Sequence, residues 1–288
     1  MIKYFKKYAA NKTSFFLLGS VYLAAGLTFL SLLFLLVYIL VQGLPHVNCD
    51  LFAFEYTTQN VSLFPAIIDT VLMVVIALAL AAPLGIFTAI YLVEYANQRS
   101  KVVNIISVTA DTLAGIPSIV YGLFGMLFFV MFLQMGYSIL AGACTVAIMI
   151  LPLMIRTTEE ALKSVSVSYR EGSYALGAGK LRTVFKVVLP SATPGILAGI
   201  ILGIGRIVGE TAALIYTAGT VAALPENVFS SGRTLAVHMY VLASEGLYMK
   251  QAFATAVILV VFAMSINDLS NYFVIFIDIC CILCVGNQ

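Results

Sequence analysis

Residues 159–190 read EEALKSVSVSYREGSYALGAGKLRTVFKVVLP, and on both flanks the chain is almost uniformly apolar. The stretch carries Lys163, Arg170, Lys180, Arg182 and Lys186, offers Ser166 or Ser168 as a helix N-cap, and is broken by Gly177 and Gly179. A basic amphipathic segment between long apolar runs is the pattern of a surface loop in a chain that crosses a membrane repeatedly. Two readings of this loop are open on composition: a solvated connector whose cations hold topology, or a docking element for another protein.

Further apolar runs occupy residues 15–41, 66–93, 105–133, 139–155, 194–223 and 252–266. A crossing takes about 20 apolar residues, so these runs give six helical spans with short connections. Composition agrees: of 288 residues 62% are hydrophobic and only 10% are charged, with a mean hydropathy of +1.06. Soluble domains carry about 25% charged residues, so an ordinary water-facing surface is excluded. The run at 15–41 follows Lys3, Lys6, Lys7 and Lys12 as a secretion signal would. It is far longer than the 7 to 15 residues or so of a signal's apolar region and lacks a small-residue cleavage site, so it is expected to remain as an anchor. Pro83, Pro117 and Pro152 lie in or near three runs, which membrane helices tolerate when neighbours satisfy the freed carbonyls.

With the N-terminus inside, the cytoplasmic segments are 1–14, 94–104, 156–193 and the C-terminal tail. They hold Lys3, Lys6, Lys7, Lys12, Arg99, Lys101, Arg156, Lys163, Arg170, Lys180, Arg182 and Lys186 of the fifteen Lys and Arg, whereas the external segments hold only Arg233 and Lys250. The excess of inside cations sets this orientation and a multi-pass location in the cytoplasmic (inner) membrane. The remaining cation, Arg206, falls within a span.

No reacting constellation is visible. Gly179-Lys180 is followed by Leu181, and Tyr174 stands where a phosphate-binding loop needs glycine, so the chain has no ATPase motif. HExxH and GxSxG are absent, and no second carboxylate lies near Glu210 for acid/base work. Five Cys without repeated spacing, and the isolated His46 and His238, argue against a disulfide framework and a metal site. Asn60-Val61-Ser62 matches a glycosylation acceptor by a pattern too short to count. The composition points to transport.

Within the loop, Glu171-Gly172-Ser173, then Gly177, then Val187, Leu189 and Pro190, follow the spacing EAA, three residues, G, nine residues, I-x-LP. This resembles the signature loop of importer-type ABC permeases, with Gly and Ser for the two Ala and Val for the Ile. The resemblance implies that Glu171, Gly172, Ser173, Ala175, Gly177, Leu189 and Pro190 belong to a helix and turn that dock onto a separate ATP-hydrolysing subunit. Small side chains let such a helix sit deep in a groove, and Gly177 takes a turn other residues resist. Three more stretches, Pro83-Leu84-Gly85 running to Tyr95, Ala114 to Leu123 (AGIPSIVYGL) and Arg206 to Ala212 (RIVGETA), are similar to the A-type membrane subunit of the phosphate-specific ABC importer. The likeness covers about residues 15–267. It implies an all-α, polytopic, type I ABC importer permease fold with six transmembrane helices. The expected layout is a 1–14 cytoplasmic N-terminus, a 15–267 permease domain containing the 156–193 docking loop, and an atypical 268–288 tail.

The same resemblance implies the partners: a second, homologous C-type permease subunit, two cytoplasmic ATPase subunits, an extracytoplasmic phosphate-binding protein and the lipid bilayer, with no nucleic acid. No cofactor is expected on this chain; ATP is used by the partner subunits. Importers of phosphonate, sulfate or molybdate are alternatives of the same class. An ion-driven secondary transporter, or an assembly or sensor protein without transport, are alternatives of other classes.

A helix entering the membrane near Pro194 brings Arg206 to about 18 Å depth, near the middle of a core about 30 Å thick. A charge there needs a partner or a wet path. Glu210, four residues on, shares a helical face with it if the helix continues, so a self-neutralising structural pair is one reading. The other is that Arg206 faces the conduit and attracts an oxyanion through its fork of donors, with Glu210 weakening the trap enough for release. The resemblance favours the second, and extends the substrate path to Thr211. Asp69 and Asp111, near span ends, read as solvated or capping carboxylates, and AGIPSIVYGL as a kinked helix closely approached by a neighbour. The tail, residues 268–288, lacks Lys and Arg and holds Cys280, Cys281 and Cys284. An interfacial segment, an extension of the last helix and an altered coding end are its three readings.

Overall fold

The computed structural model describes the backbone of residues 12–97 and 101–285, and every regular element among them is helical. Lys3, Lys6, Lys7 and Arg99 of the orientation argument lie outside the described residues. Helix α1 is Lys12–Gly43, followed by 3-10 turns at Leu44–His46 and Cys49–Phe52. Helix α2, Phe64–Ile90, starts on Pro65, whose missing N–H costs nothing in a first turn, and widens into a π turn at Tyr91–Tyr95. Helix α3 is Lys101–Ala114, and α4, Ser118–Gly125, runs into a π turn at Met126–Phe132. Helix α5, Ile139–Ser164, is capped by the Ser138 hydroxyl, which accepts the N–H of Ala141 at 3.2 Å. Then come α6, Val167–Ala175, and α7, Leu189–Val208, the latter entered through a turn at Lys180–Thr183 and a π turn at Val184–Val188. The chain finishes with α8, Ala212–Ile215, α9, Leu235–Glu245, and α10, Met249–Val285.

Five of these helical stretches are long and apolar enough to cross a bilayer, and α3 with α4 makes a sixth if that bent pair is one span. The expected third span, 105–133, is broken by 101°. Pro117 supplies the reason: it cannot donate and it pushes Ile116 out of helical conformation, so a new helix starts with Val120 N–H on the Pro117 carbonyl at 3.0 Å. The first half is held against the end of α5, where Arg156 pairs with Asp111 and donates to the Ser107 carbonyl.

Other boundaries move for local reasons. The 156–193 loop is largely helical, because α5 runs on to Ser164 and the α7 rod begins at Lys180. The fifth span does not continue to residue 223: α7 stops at Val208 with Gly209 as its cap. The chain then returns to the start of α5, where Thr217, Ser230 and Val228 carbonyls accept the N–H groups of Ser138, Ile139 and Leu140. These are helix-start donors that would otherwise lack partners. Helix α10 passes Asp268 unbroken to Val285, about 55 Å long at 1.5 Å per residue, so the described part of the tail extends the last helix.

The core joins α2, α4, α5 and α7 through Met73, Ala77, Tyr121, Val146, Met149, Ile150 and Ile207. Close helix approach rests on small residues: a Cβ at Gly199 would strike Thr157, one at Gly195 would lie 2.6 Å from Ala161 Cβ, and one at Gly85 2.6 Å from Met154 Cβ. Helix α1 leans on α10 through Gly43 against Phe253 and Val257, and otherwise presents exposed Leu, Phe and Val, as a lipid-facing helix does.

Candidate functional site

The break after α7 places the membrane-embedded charge. Ile207 sits in the cluster that holds Ala77 of α2 and Ile150 of α5, both near the middle of their helices, so Arg206 lies at mid-bundle depth and in the last turn of α7. Arg206 is half-buried and lies within electrostatic reach of the Tyr121 phenol, itself anchored by donation to the Leu113 carbonyl at 2.8 Å. Next to it, Gly205 and Gly209 are exposed and Thr211 is half-buried. One side of this guanidinium therefore faces out of the chain's own fold.

The expected pairing of Arg206 with Glu210 on one helical face is not formed. Because α7 ends at Gly209, the four-residue spacing no longer measures a helical turn, and the buried Glu210 carboxylate instead accepts the N–H of Ala213 at 3.0 Å. It caps α8, which packs against α4 where a Cβ on Gly122 would lie 2.8 Å from Ala213 Cα. That contact is a close approach of the kind read from AGIPSIVYGL, and just beyond the stretch Gly125 lies against Thr145.

The loop expected to dock on a partner is built around an exposed helix, α6. Ser166 caps α6 by accepting Ser168 N–H at 3.4 Å, and Gly177 closes it at φ +79°. Glu171, Gly172, Ala175 and Gly177 are exposed, as are Val167, Tyr169 and Leu176, the last at 90%. Nothing lies within 4 Å of a Cβ built on Gly172. Ser173 is half-buried and shares a 2.9 Å hydrogen bond with Thr183. Leu189 and Pro190 stand apart from this surface, at the start of α7, with Leu189 packed against the buried cluster that includes Ala161, Val165 and Val188.

A buried polar cluster at the other end of the molecule has no counterpart in the sequence reading. Asp69 is 1% exposed and not solvated; its Oδ2 accepts the Arg233 N–H at 2.8 Å. The Arg233 guanidinium donates to the Thr220 carbonyl at 2.9 Å, meets His238 Nδ1 at 3.4 Å and covers the Tyr56 ring at 5.4 Å. Thr70 Oγ1 accepts the Leu235 N–H at 2.9 Å. Burial, with the Arg233 charge adding to it, pushes the His238 imidazole down to about 3. The cluster fastens the returning segment and α9 onto the first turns of α2. Asp111, by contrast, is exposed and ion-paired. Among the described residues no group of three His, Cys, Asp or Glu could hold a metal ion.

Known proteins match this arrangement. Residues 81–274 fit the family described as "Binding-protein-dependent transport system inner membrane component". A Bacillus subtilis protein named "Probable ABC transporter permease protein YqgI" is 34% identical over 230 residues, 73% of this chain and 76% of that protein. A Xylella fastidiosa "Phosphate transport system permease protein PstA" is 34% identical over 231 residues, 78% of this chain and 80% of that protein. A Mycoplasma pneumoniae "Phosphate transport system permease protein PstA homolog" is 33% identical over 241 residues; the match takes in 81% of this chain but 36% of that protein, so the chain spans about a third of its length. Among solved structures, a chain of a bacterial alginate ABC transporter superposes with a TM-score of 0.66 at 15% identity, covering 89% of this chain and 93% of that one. A chain of the inward-facing MetNI methionine ABC transporter gives 0.58 at 19%, covering 75% and 94%. These likenesses give the fold, that of type I ABC importer permeases. With an all-helical bundle, an exposed loop helix and a family match over residues 81–274, the chain belongs to the binding-protein-dependent transport system inner membrane components.

Proposed function

We propose that this chain is the membrane permease subunit of an ATP-driven importer that moves inorganic phosphate across the cytoplasmic membrane, with its N-terminus inside. The observation that carries the reading is Arg206: a guanidinium at mid-bundle depth, without a carboxylate partner among the described residues, beside exposed backbone where its helix stops. A permanent planar cation with several donors suits a tetrahedral oxyanion, and irregular backbone at membrane depth is tolerated where it lines a water-filled path. Relatives named as phosphate permeases support the choice of anion.

In this reading the open side of Arg206, Thr211 and the α7 end meets a second, C-type permease subunit, and the path runs between the two. Two ATPase subunits bind the projecting α6 helices of the pair, an extracytoplasmic binding protein delivers phosphate, and ATP hydrolysis belongs to the partners. Phosphate uptake by cells lacking this chain and its paralogues tests the assignment. Loss of uptake restored by the wild-type chain but not by Arg206→Ala is expected, with excess sulfate, molybdate or phosphonate failing to compete. Undiminished phosphate uptake without the chain would overturn it.

A further inference from the structure

Beyond the docking residues named above, the contacts of Arg170 join three parts of the fold at one point. Its Nε and Nη2 donate to Glu94 Oε1 at 3.1 and 2.7 Å, Nη2 also donates to the Leu162 carbonyl at 2.9 Å, and Nη1 to the Val165 carbonyl at 2.9 Å. Glu94 lies in the π turn that ends α2, Leu162 and Val165 are at the end of α5, and Arg170 is inside α6. Both side chains are largely buried, at 16% and 6% exposed. The guanidinium thus satisfies carbonyls a helix end leaves unpaired, sits at the negative end of the α5 dipole, and is neutralised by Glu94. A Lys could not make these bonds at once, because the geometry uses the planar fork.

Helices α5 and α7 are in turn zipped by Gly195 on Ala161 and Gly199 on Thr157, so a displacement of the α5 end reaches the helix that carries Arg206. We infer that Arg170 and Glu94 form a positioning clamp that transmits movement of the ATPase-docking helix α6 to α2, α5 and through them to the Arg206 break. The inference rests on the permease reading above. Without the clamp, α6 keeps its exposed face and still binds its partner, while the spans no longer follow it.

The test uses the assembled complex in liposomes. Glu94→Gln keeps size and one acceptor oxygen; Arg170→Gln removes the fork. Both are expected to retain ATPase subunits in normal stoichiometry and to lower phosphate imported per ATP hydrolysed by about tenfold or more, with Arg170→Lys intermediate. A second readout is independent of the cargo: in a background without native cysteines, Gly205→Cys, a site with open space around its Cβ, reports thiol labelling beside Arg206. Its labelling rate should change on ATP trapping in the wild-type clamp and stay constant in Glu94→Gln and Arg170→Gln. If wild-type liposomes hydrolyse ATP but import no phosphate, the substrate reading fails and the labelling arm still judges the clamp. Unchanged coupling and unchanged labelling response in both variants, or failure of Glu94→Gln to assemble, would overturn the proposal.

Discussion

The carboxylate of Glu210 holds the backbone N–H of Ala213 at 3.0 Å and so faces along the chain into α8, away from the guanidinium four residues before it. Glu210 and Arg206 are close in sequence and do separate work. One seats the return of the chain after the helix break; the other stands at the break.

This division predicts the behaviour of two substitutions. Glu210→Gln keeps an oxygen acceptor for Ala213 and is expected to import phosphate near the wild-type rate, while Glu210→Ala removes a cap of about 1 kcal/mol and lowers stability. Uptake abolished by Glu210→Gln, in protein that melts normally, would restore the carboxylate charge to the transport step.

Arg206→Lys retains charge but loses the fork. Initial phosphate uptake is expected to fall about tenfold, the scale of losing one charge-assisted hydrogen bond, and Arg206→Ala is expected to abolish it. Full activity of the Lys variant in a labelled-phosphate uptake assay would rule out recognition by paired donors.

Gly177 closes α6 at φ +79° with nothing within 4 Å of a Cβ placed there, so a larger residue meets backbone strain rather than collision. Gly177→Val, β-branched in a left-handed conformation, is expected to cost about 1 to 3 kcal/mol locally and to reorient the docking helix. Co-purification should show reduced ATPase subunit with the membrane subunit still in the bilayer; normal association and uptake would remove the docking role of α6.

Acid should loosen the end of the bundle that holds His238. Burial, then the Arg233 charge, pushes His238 from 6.5 to about 3, so the folded protein holds it neutral. The stability this provides is fully present above about pH 6.5 and is lost progressively as pH falls toward 3, because only the unfolded chain takes up the proton there. Melting temperatures of the detergent-solubilised protein are expected to drop across that window, and His238→Phe should flatten the slope. An equal slope in both proteins would assign the acid sensitivity elsewhere.

Helix packing offers a fifth handle. Gly199→Leu forces α5 and α7 apart at Thr157 and is expected to lower the melting temperature by several degrees, whereas Gly205→Ala enters open space and replaces a flexible helical residue, for a gain of about 0.5 to 1 kcal/mol. Equal effects from the two would mean that the glycine contacts do not set the helix spacing.

Much of this was legible before any coordinates. An apolar chain sorts into spans, and a lone Arg in such a run must sit somewhere charged or wet, so Arg206 stood out. Helix α6 was legible because Ser166 and Gly177 punctuate it with local signals, a cap and a left-handed turn. What failed was the assumption that α7 continues: apolar residues resume past Gly209, but the chain breaks at Gly209, Glu210 takes the N–H of Ala213, and α8 packs on α4. The Asp69 and Arg233 contact was beyond reach for a different reason. Those residues lie 164 positions apart, and each alone looks like an ordinary loop-end charge.

The helix end itself has an electrostatic consequence. Arg206 lies in the final turn of α7, where the outward-pointing carbonyls carry about half a negative charge. In the proposed permease reading, that field acts on the guanidinium from within the backbone and trims its pull on phosphate by an amount of the order of 1 kcal/mol. A moderating charge made of peptide groups has no codon of its own. Point mutation can delete a glutamate in one step, but it can remove this restraint only by rebuilding the helix terminus, so in that reading the grip on phosphate is protected against drifting toward a permanent hold.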